Sequence, residues 1–218
     1  MTTTAITILR DLFLPRACVA CATPGTWWCQ GCDLEVRGPV VLARTADLTV
    51  CAAARYEGAA RALVLGLKER HLTALAQPVG TLLDRAIRAH PQIATATALV
   101  PVPGSSRGWR SRGFDVVDLA LGREPPLPVA HCLTWDRRRR AQKSLTRSAR
   151  VSNLVDALSC RVTVPQALIV DDVVTSGATV TEAIRAIEAA GGSVVGIASV
   201  AHTPPVGGPI GRAGATTR

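Results

Sequence analysis

The residues best suited to chemistry lie at the end of a short apolar run. Ala167-Leu168-Ile169-Val170 is followed by Asp171-Asp172 and then by a turn, Thr175-Ser176-Gly177-Ala178-Thr179. Ligands of parallel sheets bind at the carboxyl ends of strands, and a turn rich in N–H groups and hydroxyls before a helix suits a phosphate. Because the two carboxylates repel phosphate, they must face sugar hydroxyls, a metal ion or a cation. The segment therefore predicts a site for a sugar phosphate.

The alternative interpretation of this segment is a strand-to-helix turn that binds nothing. In that case Thr175 or Ser176 would only cap the helix. A cap needs one short polar side chain, and it does not require two acids followed by the whole hydroxyl-rich run. Gly177 would in addition let the backbone approach an anion closely. We therefore favour the sugar phosphate.

Four cysteines near the N-terminus form a second group with chemical potential. Their spacing is Cys18-x2-Cys21-x7-Cys29-x2-Cys32, and the other three cysteines are isolated along the chain. Two C-x2-C pairs on a short hairpin are typical of one tetrahedral zinc ion. Four protein ligands leave no open position, so we expect a structural and not a catalytic metal. Two disulfides or a redox C-x2-C are the alternatives.

Composition sets the broad class of protein. The chain has 218 residues, of which 48% are hydrophobic, 19% charged and only 3% aromatic. Such a chain has enough aliphatic material for a core, which excludes global disorder. The net charge of +9 indicates anionic partners. Much of the excess lies in residues 105–112 and 136–150, although a charged run can also be a solvated surface.

The apolar pattern predicts alternating strands and helices. Strands are expected at 48–56, 96–102, 127–133, 167–170 and 193–201, and helices at 1–14, 59–68, 78–89, 114–122 and 178–190. Residues 105–112 and 135–150 are predicted to be loops. Alternation of this kind indicates an α/β fold with a mostly parallel sheet flanked by helices. We expect a zinc-binding module at 1–37, a main domain at 38–202 and a disordered tail at 203–218.

Targeting signals are not evident in the sequence. The longest apolar stretch, 189–201, is too short to cross a membrane and is rich in glycine. The N-terminus lacks a basic region before its apolar residues, and Asp11 interrupts them. We therefore expect a cytoplasmic protein.

The motif at 167–179 resembles the 5-phosphoribosyl 1-pyrophosphate (PRPP) motif of type I phosphoribosyltransferases. Together with further motifs, in order along the chain, it resembles the ComF family of competence-associated phosphoribosyltransferase-like proteins. The similarity covers about residues 10–202. These further motifs are the cysteine hairpin, Tyr56-Glu57-Gly58 with Lys68, Val100-Pro101-Val102-Pro103, Arg112-Gly113-Phe114, and Gln142, Leu145, Arg147, Arg150 and Asn153.

The resemblance implies a role for each site residue. Asp171 and Asp172 would be the catalytic acids that hold the ribose hydroxyls, and Thr175 to Thr179 would hold the 5-phosphate. Magnesium would accompany PRPP, and the phosphoribosyl group would pass to an acceptor that the sequence does not identify. The residues implied for the pyrophosphate are Lys68, Pro103, Gly104, Ser105, Arg107 and Arg110.

Two further interpretations stay open. The family is linked to natural transformation, so the protein would alternatively be a non-catalytic nucleic-acid-handling protein that supports single-stranded DNA uptake with competence-machinery proteins. It would otherwise be a zinc-ribbon interaction module on a degenerate fold. One departure bears on the site: Asp115-Val116 stands where the family usually has Asn-Gln. An acid there weakens anion binding unless magnesium intervenes.

Overall fold

The computed structural model describes residues 16–136 and 157–203, with the side chains of Ser106 and Arg107 excepted. The predictions for residues 1–14, 137–156 and 204–218 lie outside these ranges. The strands are β1 Val41–Thr45, β2 Leu48–Arg55, β3 Ala98–Pro101, β4 Leu133–Trp135, β5 Leu158–Cys160, β6 Ala167–Val174 and β7 Val194–His202. The helices are α1 Gln30–Val36, α2 Gly58–Lys68, α3 Ala76–Arg88, α4 Ser106–Arg112, α5 Val116–Leu121 and α6 Ala178–Ala189, with a 3-10 turn at Thr73–Leu75.

Five strands form the central sheet in the order β1-β2-β7-β6-β3. All neighbouring pairs are parallel except β1 with β2, which form an antiparallel pair at one edge. Strand β6 lies between β7 and β3, and its Ile169 pairs with Val100 and Ile197. Strands β4 and β5 form a separate antiparallel pair. The predicted mostly parallel sheet flanked by helices is confirmed.

Two hydrophobic clusters cover the two faces of the sheet. Leu168 and Val170 of β6 contribute to the cluster that contains the buried residues of α2 and α3, whereas Ala167 and Ile169 contribute to the cluster that contains those of α6. All four side chains are fully buried. This explains why β6 begins as a continuous apolar run, because a strand covered on both faces has no solvent side. The core therefore fixes β6 firmly up to its carboxyl end.

Two helix ends reach the carboxyl edge of the sheet. Helix α2 ends at Lys68, which directs its ammonium group toward that edge. Helix α6 begins after Gly177, which has a φ of +74°. Few residues other than glycine adopt this left-handed conformation, and a Cβ there would lie 2.4 Å from Thr45 Cγ2. Glycine at 177 thus allows the tight turn between β6 and α6.

Several local predictions are wrong. Residues 106–112, predicted as part of a loop, form helix α4, because Ser105 caps it by accepting a hydrogen bond from the Gly108 N–H. The strand predicted at 127–133 reduces to an isolated bridge between Leu99 and Val129, followed by β4. The second half of the cysteine hairpin is helix α1, and β1 and β5 were not predicted. Strand β6 also continues through the two acids to Val174.

None of the described helices is both long enough and apolar enough to cross a bilayer.

Candidate functional site

Two carboxylates lie near the carboxyl end of β6. The Lys68 ammonium contacts both oxygens of Asp172, at 2.9 Å from Oδ1 and 2.6 Å from Oδ2. Asp171 Oδ1 accepts a hydrogen bond of 2.7 Å from the Asp172 N–H. Helix α2 and strand β6 therefore bring together an acid pair and one cation. The family resemblance implies Lys68 for the pyrophosphate, and its pairing with Asp172 was not predicted.

The two acids and the lysine interact electrostatically. Burial, with the neighbouring charge of Asp172, raises the pKa of Asp171 well above its ordinary value. Burial tends to lower the pKa of Lys68, but the carboxylate of Asp172 outweighs this effect and raises it. At neutral pH Lys68 is therefore a cation paired with Asp172. Asp171 keeps its proton to a higher pH than an exposed aspartate does.

The turn after β6 has unused backbone donors. No side chain caps helix α6 at Gly177, and the nearest bond in the turn is a long one of 3.5 Å between the Ala178 N–H and Ser176 Oγ. The first backbone bond after the turn runs from the Thr181 N–H to the Gly177 carbonyl. Free N–H groups at the start of a twelve-residue helix, next to three hydroxyls, suit an anion.

A cavity of about 720 Å³ opens in front of the acids. Its wall includes eight of the predicted site residues: Lys68, Pro103, Gly104, Ser105, Asp171, Asp172, Thr175 and Thr179. Ser176, Gly177 and Ala178 lie between the two threonines in the chain but do not form part of the wall. Arg110 is exposed on α4 and is likewise not part of the wall. The side chain of Arg107 lies outside the described residues.

The loop after β3 borders the same cavity, but its polar groups have internal partners. Asp115 Oδ2 accepts a hydrogen bond of 2.7 Å from the Gly104 N–H, and Asp115 Oδ1 accepts one of 2.9 Å from the Val117 N–H at the start of α5. The indole N–H of Trp135 donates to the carbonyls of Pro103 and Gly104, at 2.8 and 3.2 Å. Asp115 and Trp135 thus hold this loop in place.

The contacts of some residues around the cavity were not predicted from the sequence. Asp115 was noticed as a departure from a family pattern, not as a partner of Gly104. Trp135 was not among the predicted site residues, although it lines the cavity. Tyr56 also lines the cavity. The signal for both aromatic residues was their rarity, because the chain has one tyrosine and four tryptophans.

The four N-terminal cysteines converge, as their spacing predicted. Their sulfur atoms all lie within 4.8 Å of one another. Cys18 and Cys32 are 3.8 Å apart and Cys21 and Cys29 are 3.5 Å apart, too far for disulfides. A tetrahedral zinc ion with bonds of about 2.3 Å separates its sulfur ligands by about 3.8 Å. The four thiols therefore fit a structural zinc site.

The comparisons with known proteins agree with this architecture. No curated protein matches the chain. Residues 129–209 match the family model of the phosphoribosyl transferase domain. The matched part contains β6, the two acids and the turn after them, so the chain has a phosphoribosyltransferase-like fold preceded by a four-cysteine cluster that can hold zinc.

Proposed function

We propose that the protein binds PRPP or a related ribose phosphate in the cavity in front of β6. Asp171 and Asp172 accept hydrogen bonds from the ribose hydroxyls, and the turn from Thr175 to Thr179 holds the 5-phosphate. One observation carries the proposal: a single buried strand delivers two carboxylates and an uncapped helix N-terminus to the same cavity. The match to the phosphoribosyl transferase domain supports it.

The charges around the acids suit a ribose. A carboxylate is an acceptor only, so it pairs with hydroxyl donors and not with phosphate oxygens. Lys68 compensates one of the two acids, which allows the pair to be held together near the cavity wall. The 5-phosphate then lies on the other side of the ribose, at the positive end of helix α6.

The reaction implied for a PRPP complex is phosphoribosyl transfer. A nitrogen nucleophile of the acceptor forms the bond to ribose C1 as pyrophosphate leaves with the bonding electron pair. Such a centre develops positive charge, which the carboxyl groups of Asp171 and Asp172 would stabilise. Magnesium, when bound with PRPP, would neutralise pyrophosphate oxygens. The identity of the acceptor is not part of the proposal.

The test is titration calorimetry with ribose 5-phosphate on the full chain. Thr179→Val should weaken binding by about tenfold or more, because it removes a hydroxyl from the turn. Thr181→Val is the matched control, since Thr181 lies on the same helix but is exposed and outside the cavity wall. Absence of binding to the wild-type protein, or an equal loss in both variants, would contradict the proposal.

A second candidate function is binding of single-stranded DNA without catalysis, in support of DNA uptake. The observation that favours it is Trp109, which is 56% exposed on α4 beside Arg110. An exposed indole beside a cation suits base stacking together with a backbone contact. Fluorescence anisotropy with an oligothymidine should show affinity that falls steeply with salt and on Trp109→Ala. Affinity insensitive to both would contradict this function.

A further inference from the structure

Asp115 is paired with a backbone N–H group in the wall of the cavity. Its Oδ2 accepts the Gly104 N–H at 2.7 Å, and a Cβ built on Gly104 would lie 2.6 Å from that oxygen. The carboxylate therefore packs directly against the loop backbone. It occupies the position that a phosphate oxygen would take to accept the same N–H group.

Three further backbone groups of this loop also have hydrogen-bond partners. The Gly108 N–H donates to Ser105 Oγ at 3.1 Å, and the carbonyls of Pro103 and Gly104 accept from Trp135. The guanidinium of Arg112 packs against Gly108, where an added Cβ would lie 2.6 Å from its Nη2 atom. The Gly104 and Gly108 N–H groups and the carbonyls of Pro103 and Gly104 thus have partners within the protein, whereas the buried Nε atom of Arg112 has none among the described residues.

The charge of the cavity wall also disfavours a pyrophosphate group. Its described residues include four acids, Glu69, Asp115, Asp171 and Asp172, against two strong bases, Lys68 and Arg112. Lys68 is already paired with Asp172. Burial and Asp172 are the main causes of the raised pKa of Asp171, and Asp115 adds to them. A pyrophosphate group at the Gly104 end of the cavity would meet the Asp115 carboxylate.

The turn after β6 presents the opposite arrangement. Gly177 begins α6 without a side-chain cap, and Ser176 makes only the long bond to Ala178. The end of the cavity at the start of α6 therefore offers backbone N–H groups to a phosphate. At the other end, Asp115 already accepts the Gly104 N–H group. The two ends are separated by the ribose-binding acids Asp171 and Asp172.

We infer that Asp115 is a specificity-determining residue that closes the pyrophosphate end of the cavity, so that the protein selects a ribose 5-phosphate monoester over PRPP. The ligand class is ribose 5-phosphate or a nucleoside 5′-monophosphate, which lack a pyrophosphate at C1. The inference rests on the proposed function, because it assumes that the turn after β6 holds the 5-phosphate.

The experiment is titration calorimetry of the full chain with ribose 5-phosphate, adenosine 5′-monophosphate and PRPP, with and without magnesium. Wild-type protein should bind both monoesters at least as tightly as PRPP. Asp115→Asn and Asp115→Ser should each strengthen PRPP binding by about tenfold, because a unit charge close to the pyrophosphate is removed. Ribose 5-phosphate affinity should stay within about twofold, because its phosphate binds at the other end.

The choice of variants separates specificity from folding. Asparagine and serine both cap helices, so the start of α5 is retained, and thermal unfolding checks this. Asp118→Asn is the matched control, because it removes the same charge from the first turn of α5 but lies outside the cavity wall. It should change neither affinity by more than about twofold.

The possible failures are distinguishable. If wild-type protein binds ribose 5-phosphate through Thr179 but binds PRPP more tightly with magnesium, the inference about Asp115 is overturned and the proposed function stands. An unchanged affinity ratio in both Asp115 variants overturns the inference as well. If no ribose phosphate binds, the proposed function fails and the inference fails with it.

Discussion

The loops after β3 and β6 lie at the same edge of the sheet. Each loop follows a buried apolar strand and contains glycine and hydroxyl-bearing residues. They differ in what satisfies their backbone. In the loop after β3, Asp115, Ser105 and Trp135 pair with backbone groups. In the loop after β6, helix α6 starts without a side-chain cap. Position at the sheet edge is therefore not enough to make an anion site, because internal partners decide whether the donors are available.

The largest difference between the loops is expected from their glycines. Gly177→Ala should lower the free energy of unfolding by about 2 kcal/mol or more, since Gly177 has a φ of +74° and its new Cβ would contact Thr45. Gly104→Ala should cost less, about 1 kcal/mol, because its Cβ would meet the side chains of Asp115 and Arg112 and would displace the hydrogen bond between Asp115 and the Gly104 N–H. Chemical denaturation measures both.

A double variant separates the two causes at Gly177. Thr45→Ala combined with Gly177→Ala should remove the steric contact and leave only the backbone cost of about 1 kcal/mol. Equal losses for Gly177→Ala and Gly104→Ala would show that the turn after β6 has no special conformation.

A second difference concerns how Asp171 of β6 and Asp115 of the loop after β3 affect stability. The raised pKa of Asp171 means that its contribution to stability is complete below the ordinary carboxyl pKa and is lost as pH rises through the raised value. Asp171→Asn should therefore raise the melting temperature by a margin that grows with pH, while abolishing binding of ribose 5-phosphate. Asp115→Asn should instead lower the melting temperature slightly, because a neutral amide accepts the two backbone N–H bonds more weakly than the carboxylate does. Melting curves between pH 5 and 8 test this, and a margin independent of pH would contradict it.

A smaller effect is expected from the serines. Ser105→Ala should cost about 1 kcal/mol of unfolding free energy, because it removes the cap of α4. Ser176→Ala should cost less than about 0.5 kcal/mol, since its only bond is 3.5 Å long. Equal stability losses would remove the distinction between the loops.

Removal of the metal is expected to have the smallest effect on ligand binding by the two loops. The cysteine cluster packs against the core near α2 and does not line the cavity, so a chelator should lower the melting temperature but preserve the ratio of affinities for ribose 5-phosphate and PRPP. Cys29→Ser should lose the zinc measured by mass spectrometry. Cys160→Ser, outside the cluster, should keep it. Equal zinc content in both variants would contradict the assignment of the site.

The sequence predicted the region around β6 far better than the loop after β3. Asp171, Asp172 and the turn to Thr179 are contiguous, so the order of apolar, acidic and hydroxyl residues is enough to recognise them. The pairing of Lys68 with Asp172 joins residues 104 positions apart and was not predicted, because the family resemblance indicated Lys68 only as a residue for the pyrophosphate. The hydrogen bond between Asp115 and the Gly104 N–H joins the two ends of the segment that contains α4. No local sequence pattern indicates that these ends meet. The resemblance instead suggested that this loop is open to pyrophosphate.

The short pairing of β4 with β5 has a consequence for protein engineering. Trp135 pairs with Leu158, and the Asp136 N–H donates to the Ala157 carbonyl at 2.8 Å, so positions 136 and 157 lie side by side. Any connection engineered between these two positions has to span only about one strand spacing, roughly 5 Å. The entropic cost of such a connection would rise only slowly with its length.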